Sequence, residues 1–193
     1  MASYSFFGMQ VAFKNFHRDQ LRQKLHALID EGSGTRQSFA DKQRFWKRFT
    51  GLLSEAMPVF EYGDWDLVRR HGEELFNDWS TEIEAGLATE AEEIAPRRDE
   101  ASRPSTGAAY SLVTMMVLVD KGSNADETLG AWCDLPEPVW LTRQTFGHLI
   151  EAFSRLNYAN VQADAVYIVP GADRDGIAAE DLVSDDYGLQ PLT

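Results

Sequence analysis

The sequence predicts an α+β fold: a small mixed β-sheet around a central strand at 110–119, packed with an N-terminal helical region and one long C-terminal helix at 142–156. Three observations carry this. The run AYSLVTMMVLVD from Ala109 to Asp120 holds one polar residue, Thr114, between Leu112 and Val119 and is rich in β-branched residues that favour strands. Met9, Val11 and Phe13 alternate with Gln10, Ala12 and Lys14 at the period of a half-buried strand. Phe146, Leu149, Ile150, Phe153 and Leu156 recur at helical spacing.

In chain order, the opening strand gives way to a helix near His17, with Leu21, Leu25, Leu28 and Ile29 as its apolar stripe and Glu31-Gly32-Ser33-Gly34 as its stop. A second helix begins at Ser38, whose hydroxyl caps the amide at Asp41. Its aromatic stripe is Phe39, Trp46, Phe49, Leu53 and Met57, and Lys42, Arg44, Lys47 and Arg48 face outward. Pro58 ends it, and Val59, Phe60 and Tyr62 form a short strand or ordered loop. Leu67–Trp79 reads as helix, and Ser80 as the cap of a further one with Glu82 and Glu84 in its first turn.

The stretch 96–107 is Pro-rich, mixed in charge and aperiodic, a linker between a mainly helical part (1–95) and a sheet-centred part (108–193) of one domain. Gly122–Asp126 reads as a turn, Leu129–Leu135 as an edge strand, Thr142–Leu156 as a helix, Ala165–Val169 as a buried strand and Ala178–Val183 as a short helix.

The net charge of −13 is unevenly spread. Up to Ser54 there are nine Lys and Arg against four Asp and Glu; the remainder holds nine against twenty-seven. Such a field disfavours nucleic acid and anionic lipid and favours basic partners. No apolar run approaches the roughly 18 residues of a membrane span, and the start lacks a basic segment leading into an apolar one. The expectation is a soluble cytoplasmic protein with no direct membrane insertion and no nucleic acid.

Chemical motifs are sparse. A calcium loop built on Asp173, Asp175 and Gly176 would place Gly171 at its first position and Leu182 at its twelfth, neither of which supplies a side-chain oxygen. His17, His26, His71 and His148 share no metal-ligand spacing, and the single Cys133 lacks a nucleophile signature, leaving a spatial partner such as His148 as its one route to chemistry. Paired carboxylates at Glu73-Glu74, Glu92-Glu93 and Asp185-Asp186 read as solvated faces. No P-loop, dinucleotide fingerprint or nucleophile elbow is present. No catalytic residue, cofactor or metal is therefore expected.

The tail ADAVYIVPGADRDGIAAEDLVSDDYGLQPL resembles the uncharacterised family of cyanobacteria, plastids and other bacteria that includes the thylakoid fluctuating-light acclimation protein. The resemblance rests on the D-Y-G-L-Q-P-L ending, at Asp186, Tyr187, Leu189, Pro191 and Leu192. An opening MQVAF strand and an F-N-x-x-S segment at Phe76, Asn77 and Ser80 add to it. It implies a soluble form of that domain, without the membrane segment, and adds the role of a peripheral regulator of a membrane complex to the alternatives. The reading preferred on residues alone is a non-catalytic interaction or scaffold module with a protein partner or self-association. Its candidate interface is Phe45, Trp46, Trp65, Lys47 and Arg48; the rival is an enzyme whose site assembles only in three dimensions.

Overall fold

Tyr4–Lys14 forms β1, and it, rather than the 110–119 run, is the middle strand of a five-stranded sheet. The computed structural model describes residues 3–14, 20–32, 38–94, 110–132, 135–169, 176–184 and 187–193, leaving the expected linker outside. The remaining strands are β2 (Phe60–Val68), β3 (Tyr110–Asp120), β4 (Val161–Val169) and the two-residue β5 (Gln190–Pro191), in the order β4-β3-β1-β2-β5. Every pairing is antiparallel, so the expected mixed sheet is corrected to an antiparallel one.

The reason for β1's position is burial on both faces. Phe7, Met9, Val11 and Phe13 meet one helical layer, while Phe6, Gly8 and Ala12 are buried on the other side. Gln10 and Lys14 imitate the alternation of a half-buried strand, but both faces of β1 are covered. β3 behaves as its composition predicts: Leu112 through Val119 are all buried. Val113, Met115, Val117 and Val119 share a face with Phe7 and Met9, and Leu112, Met116 and Leu118 share the other.

Seven helices lie among the described residues. On the first face are α1 (Gln20–Gly32), α2 (Phe39–Ala56), α4 (Asn124–Gly130) and α6 (Arg143–Arg155), whose Leu25, Trp46, Phe49, Leu53, Leu129, Phe146, Leu149 and Phe153 build the main core. Ser38 caps α2 as expected, and Thr142, expected as the first residue of the last long helix, is the cap of α6. The second face carries α3 (Gly72–Ile94) and α7 (Ala179–Leu182), and α5 (Glu137–Trp140) is a single turn leading into α6.

Three expected elements are corrected. Leu67 and Val68 belong to β2, paired with Phe7 and Phe6, because His71 takes a left-handed φ of 58° and breaks the chain before the helix. Ser80 caps nothing; α3 runs through it as one helix of 23 residues. The segment expected as an edge strand from Leu129 is preceded and opened by α4, whose cap Ser123 accepts the Asp126 amide. Gly72 fixes where α3 starts: a Cβ there would lie 2.8 Å from the Phe6 nitrogen and the Tyr4 oxygen, which as backbone cannot yield.

Candidate functional site

The five expected interface residues do not form one surface. Phe45 is 6% exposed and Trp46 fully buried, both in the main core, so as partner anchors they are corrected. The helical period carries them inward: Trp46 packs at 5.1 Å from Phe153, and its Nε1 donates to Asp164 on β4 at 2.9 Å. Lys47 and Arg48 are exposed on α2, and the Arg48 guanidinium pairs with Glu31 at 2.8 Å, holding that carboxyl below its usual range. Trp65 lies across the core on β2, on the far side of the Phe7–Phe153 contact.

Trp65 stands instead with Trp140, an aromatic outside the expected interface set. Trp140 meets it edge-to-face, ring centres 6.0 Å apart at 65°. The Trp65 indole donates to the Trp140 carbonyl at 3.0 Å, and the Trp140 indole donates to the Leu135 carbonyl at 2.7 Å. Both polar edges are thus held while the Trp140 ring stays 41% exposed beside exposed Val139. The turn that carries it is stiff for local reasons. Pro136 leads into α5, Pro138 sits inside its first turn, and the Thr145 hydroxyl donates to the Val139 carbonyl at 2.6 Å. Thr193 straps the other side, accepting from the Arg143 amide and donating to the Leu141 carbonyl, each at 3.0 Å. Farther along the same segment, Trp132 stacks on His148 of α6 at 4.9 Å. A cue was available in the E-P-V-W stretch, where a proline-stiffened turn ends on tryptophan.

The second sheet face holds a polar row. Tyr167, Thr114, Gln10 and Asp64 are paired in register across four strands. They interrupt the apolar face, with Tyr110, Leu112 and Ala12 to one side and Phe6, Met116 and Leu118 to the other. Gln10 donates to the Thr114 hydroxyl at 3.1 Å, and Tyr167 donates to Glu84 of α3 at 2.9 Å. Burial pushes the Asp64 carboxyl up, the neighbouring Asp66 adds to this, and the Trp65 amide opposes it. A raised carboxyl is what a general acid needs, and Asp64 is the residue here that comes nearest to that requirement.

At the adjoining end of the sheet, a bulge between Ala12 and Phe13 leaves Glu61 as an extra residue on β2. This re-aims its side chain, as bulges do. Glu61 accepts from the Tyr110 hydroxyl at 2.6 Å and pairs with Lys14 at 2.9 Å, contacts that hold its carboxyl low. Burial, and then the Glu61 contact, push the Tyr110 hydroxyl up.

His26 is partly buried with its pKa lowered by burial and by Arg22, His71 is exposed, and His148 is the stacked partner of Trp132. His17, Cys133 and the loop residues Asp173 and Asp175 lie outside the described residues, so a Cys133–His148 pair does too. Among the described residues, no group of His, Cys, Asp and Glu is arranged to hold a metal, and no helix is long and apolar enough to cross a membrane. Of the tail that carried the family resemblance, Leu189 and Leu192 are buried, Tyr187 is partly so, and Asp186 is outside the described residues. Comparison of the chain with protein-family models, with curated proteins and with solved structures gives no match.

Proposed function

We propose that this chain is a non-catalytic protein-interaction module of the cytoplasm, and that it docks a basic protein partner at the Trp65–Trp140 corner. The observation that carries the reading is the exposed Trp140 ring, held in place by hydrogen bonds from both indoles. Interface energy concentrates in rigid aromatic anchors of this kind, which lose little conformational freedom on binding. Asp66 beside Trp65 and Glu137 beside the corner are both exposed, and the net charge of −13 favours a basic partner. Membership of the fluctuating-light acclimation family belongs to the same proposal, supported by the tail residues Tyr187, Leu189, Pro191 and Leu192.

Asp64 supports a second reading, an enzyme with that carboxyl as its acid. The support is weaker, because the neighbours paired with it in the row are an amide, a hydroxyl and a phenol.

The test is affinity capture by the full chain, by Trp140→Ala and by Phe39→Ala, which removes an exposed aromatic on α2. A basic protein held by the parent and by Phe39→Ala should be lost with Trp140→Ala, whose cost is expected at roughly 2 kcal/mol or more for a central anchor. Equal capture by all three would count against the corner.

A further inference from the structure

β2 is only half covered along its outer edge. The Leu192 amide donates to the Glu61 carbonyl at 2.8 Å and Gly63 pairs with Gln190, which turns the backbone groups of odd-numbered β2 residues outward. The same parity follows from the inner pairings: Lys121 donates to the Ser3 carbonyl, so odd residues of β1 bond β3 and even ones bond β2. Beyond Gly63 the tail leaves the sheet. Gly188 adopts φ 63°, its amide turns back to Ser184 at 2.7 Å, and Leu189 donates to Leu182 at 2.9 Å. Trp65 and Leu67 therefore present outward backbone groups with no strand against them among the described residues. The Trp65 amide leans on the Asp64 carboxylate meanwhile. At the far end the open length stops at Arg69, which is paired with Asp126 at 3.4 Å and whose carbonyl accepts from Lys121.

The two faces of this short edge differ in chemistry. Asp64 and Asp66 stand on the α3 side; Trp65 and Leu67 stand on the other, with Trp140 against Trp65. The opposite edge of the sheet is protected: β4 carries Asp164 turned inward onto Lys42, and a bulge falls at Leu118/Val119. Inward charges and bulges are how proteins close an edge to added strands; β2 from Asp64 to Val68 has no bulge, and its partly buried carboxyl, Asp64, stands on the α3 side while Asp66 beside it is exposed.

We propose that the open length of β2 is a strand-addition site for an extended basic–apolar peptide, laid antiparallel in the direction β5 already takes. Its basic side chains meet Asp64 and Asp66, and its apolar ones meet Trp65, Leu67 and Trp140. Strand addition draws affinity from backbone hydrogen bonds and selectivity from alternate side chains. The proposal rests on the reading of the tryptophan corner as a docking surface and adds the occupant's conformation and pattern.

The probe is a labelled synthetic peptide alternating lysine and valine, titrated against the full chain by fluorescence anisotropy. In an antiparallel pairing the residues opposite Trp65 and Leu67 exchange both hydrogen bonds with them, and these are the valines. N-methylation of the valine amides should weaken binding about tenfold or more, the loss of two backbone hydrogen bonds, while N-methylation of the lysine amides should leave it unchanged. Asp66→Lys should weaken the unmodified peptide, and more so at low salt. No binding of the unmodified peptide overturns the proposal, as does sensitivity at the lysine amides alone, which marks the parallel arrangement. Indifference to both methylations with sensitivity to Trp140→Ala overturns strand addition and leaves the corner standing. Sensitivity at the valine amides without any effect of Trp140→Ala separates the two in the other direction. A concentration-dependent dimer in sedimentation that the peptide dissolves identifies a second copy as occupant and overturns the assignment to a basic peptide.

Discussion

Asp64 shows how one side chain acquires a property its sequence neighbours do not announce. Its place in β2 is set by pairing with Gln10, and the sheet face it shares is largely covered, so its charge is poorly solvated. The carboxyl holds its proton more tightly in the folded chain than in the unfolded one. Its stabilising contribution is accordingly complete below the ordinary carboxylate pKa and is lost as pH rises through the elevated folded value. Glu61 works in the opposite sense: its lowered pKa adds stability above the ordinary value, lost as pH falls through the folded one. Asp64→Asn isolates the first effect, because Glu61 is common to both proteins. The variant is expected to melt higher than the parent at pH 7, with the difference shrinking towards pH 4. A constant difference across that range in thermal denaturation would show that Asp64 is not held above its ordinary value.

At the scale of the elements, capping chemistry was more legible than register. The S-F-A-D pattern at Ser38 opens α2 as expected, and the S-N-A-D pattern at Ser123 opens α4 by the same bond. The second is masked by Gly122 beside it, a residue that by itself signals only a turn. The break between β2 and α3 was hidden for another reason: Val68, Leu75 and Trp79 continue a helical stripe by coincidence, and only His71's left-handed backbone interrupts it. What no local pattern contains is the tie between α2 and the edge strand β4. Asp164, its side chain 4% exposed, is bound by Lys42 and by the Trp46 indole, partners more than a hundred residues away. Lys42→Ala removes the cation from a buried carboxylate and should cost about 3–5 kcal/mol in denaturant unfolding. The double variant Lys42→Met/Asp164→Leu should recover only part of that loss, since an apolar pair of similar volume avoids the desolvation penalty but leaves the buried Trp46 indole without its acceptor. It should also self-associate, because β4 would then present an edge without its inward charge. A double variant as unstable as Lys42→Ala alone would overturn the desolvation argument, and one that stays monomeric in sedimentation would remove edge protection as the purpose of the pair.

Across the whole molecule, the composition pointed to an acidic surface and to aromatic anchors, and the structure moved the anchors. Phe45 and Trp46 went into the core because α2 packs its aromatic face on the sheet, whereas Trp65 reached the surface region through its pairing with Trp140, which sequence distance concealed. The charge asymmetry survives folding only in part. Lys14–Glu61 and Lys42–Asp164 join the basic first segment to the acidic remainder, but the twenty-seven acidic residues beyond Ser54 far outnumber the cations available to them. Acidic side chains gather on α3 at Glu73, Glu74, Glu82 and Glu84, with Asp64 and Asp66 on the sheet face it covers. Repulsion within such a surface works against the compact state. Shortening the Debye length from about 30 Å at 0.01 M salt to about 10 Å at 0.1 M should therefore raise the melting temperature. Screening also weakens the two joining pairs, yet Asp164 is buried enough to be little affected, which leaves Lys14–Glu61 as the main loss. A melting temperature that falls over this range would mean that attraction between the basic and acidic segments, and not acidic self-repulsion, dominates the electrostatics of the fold.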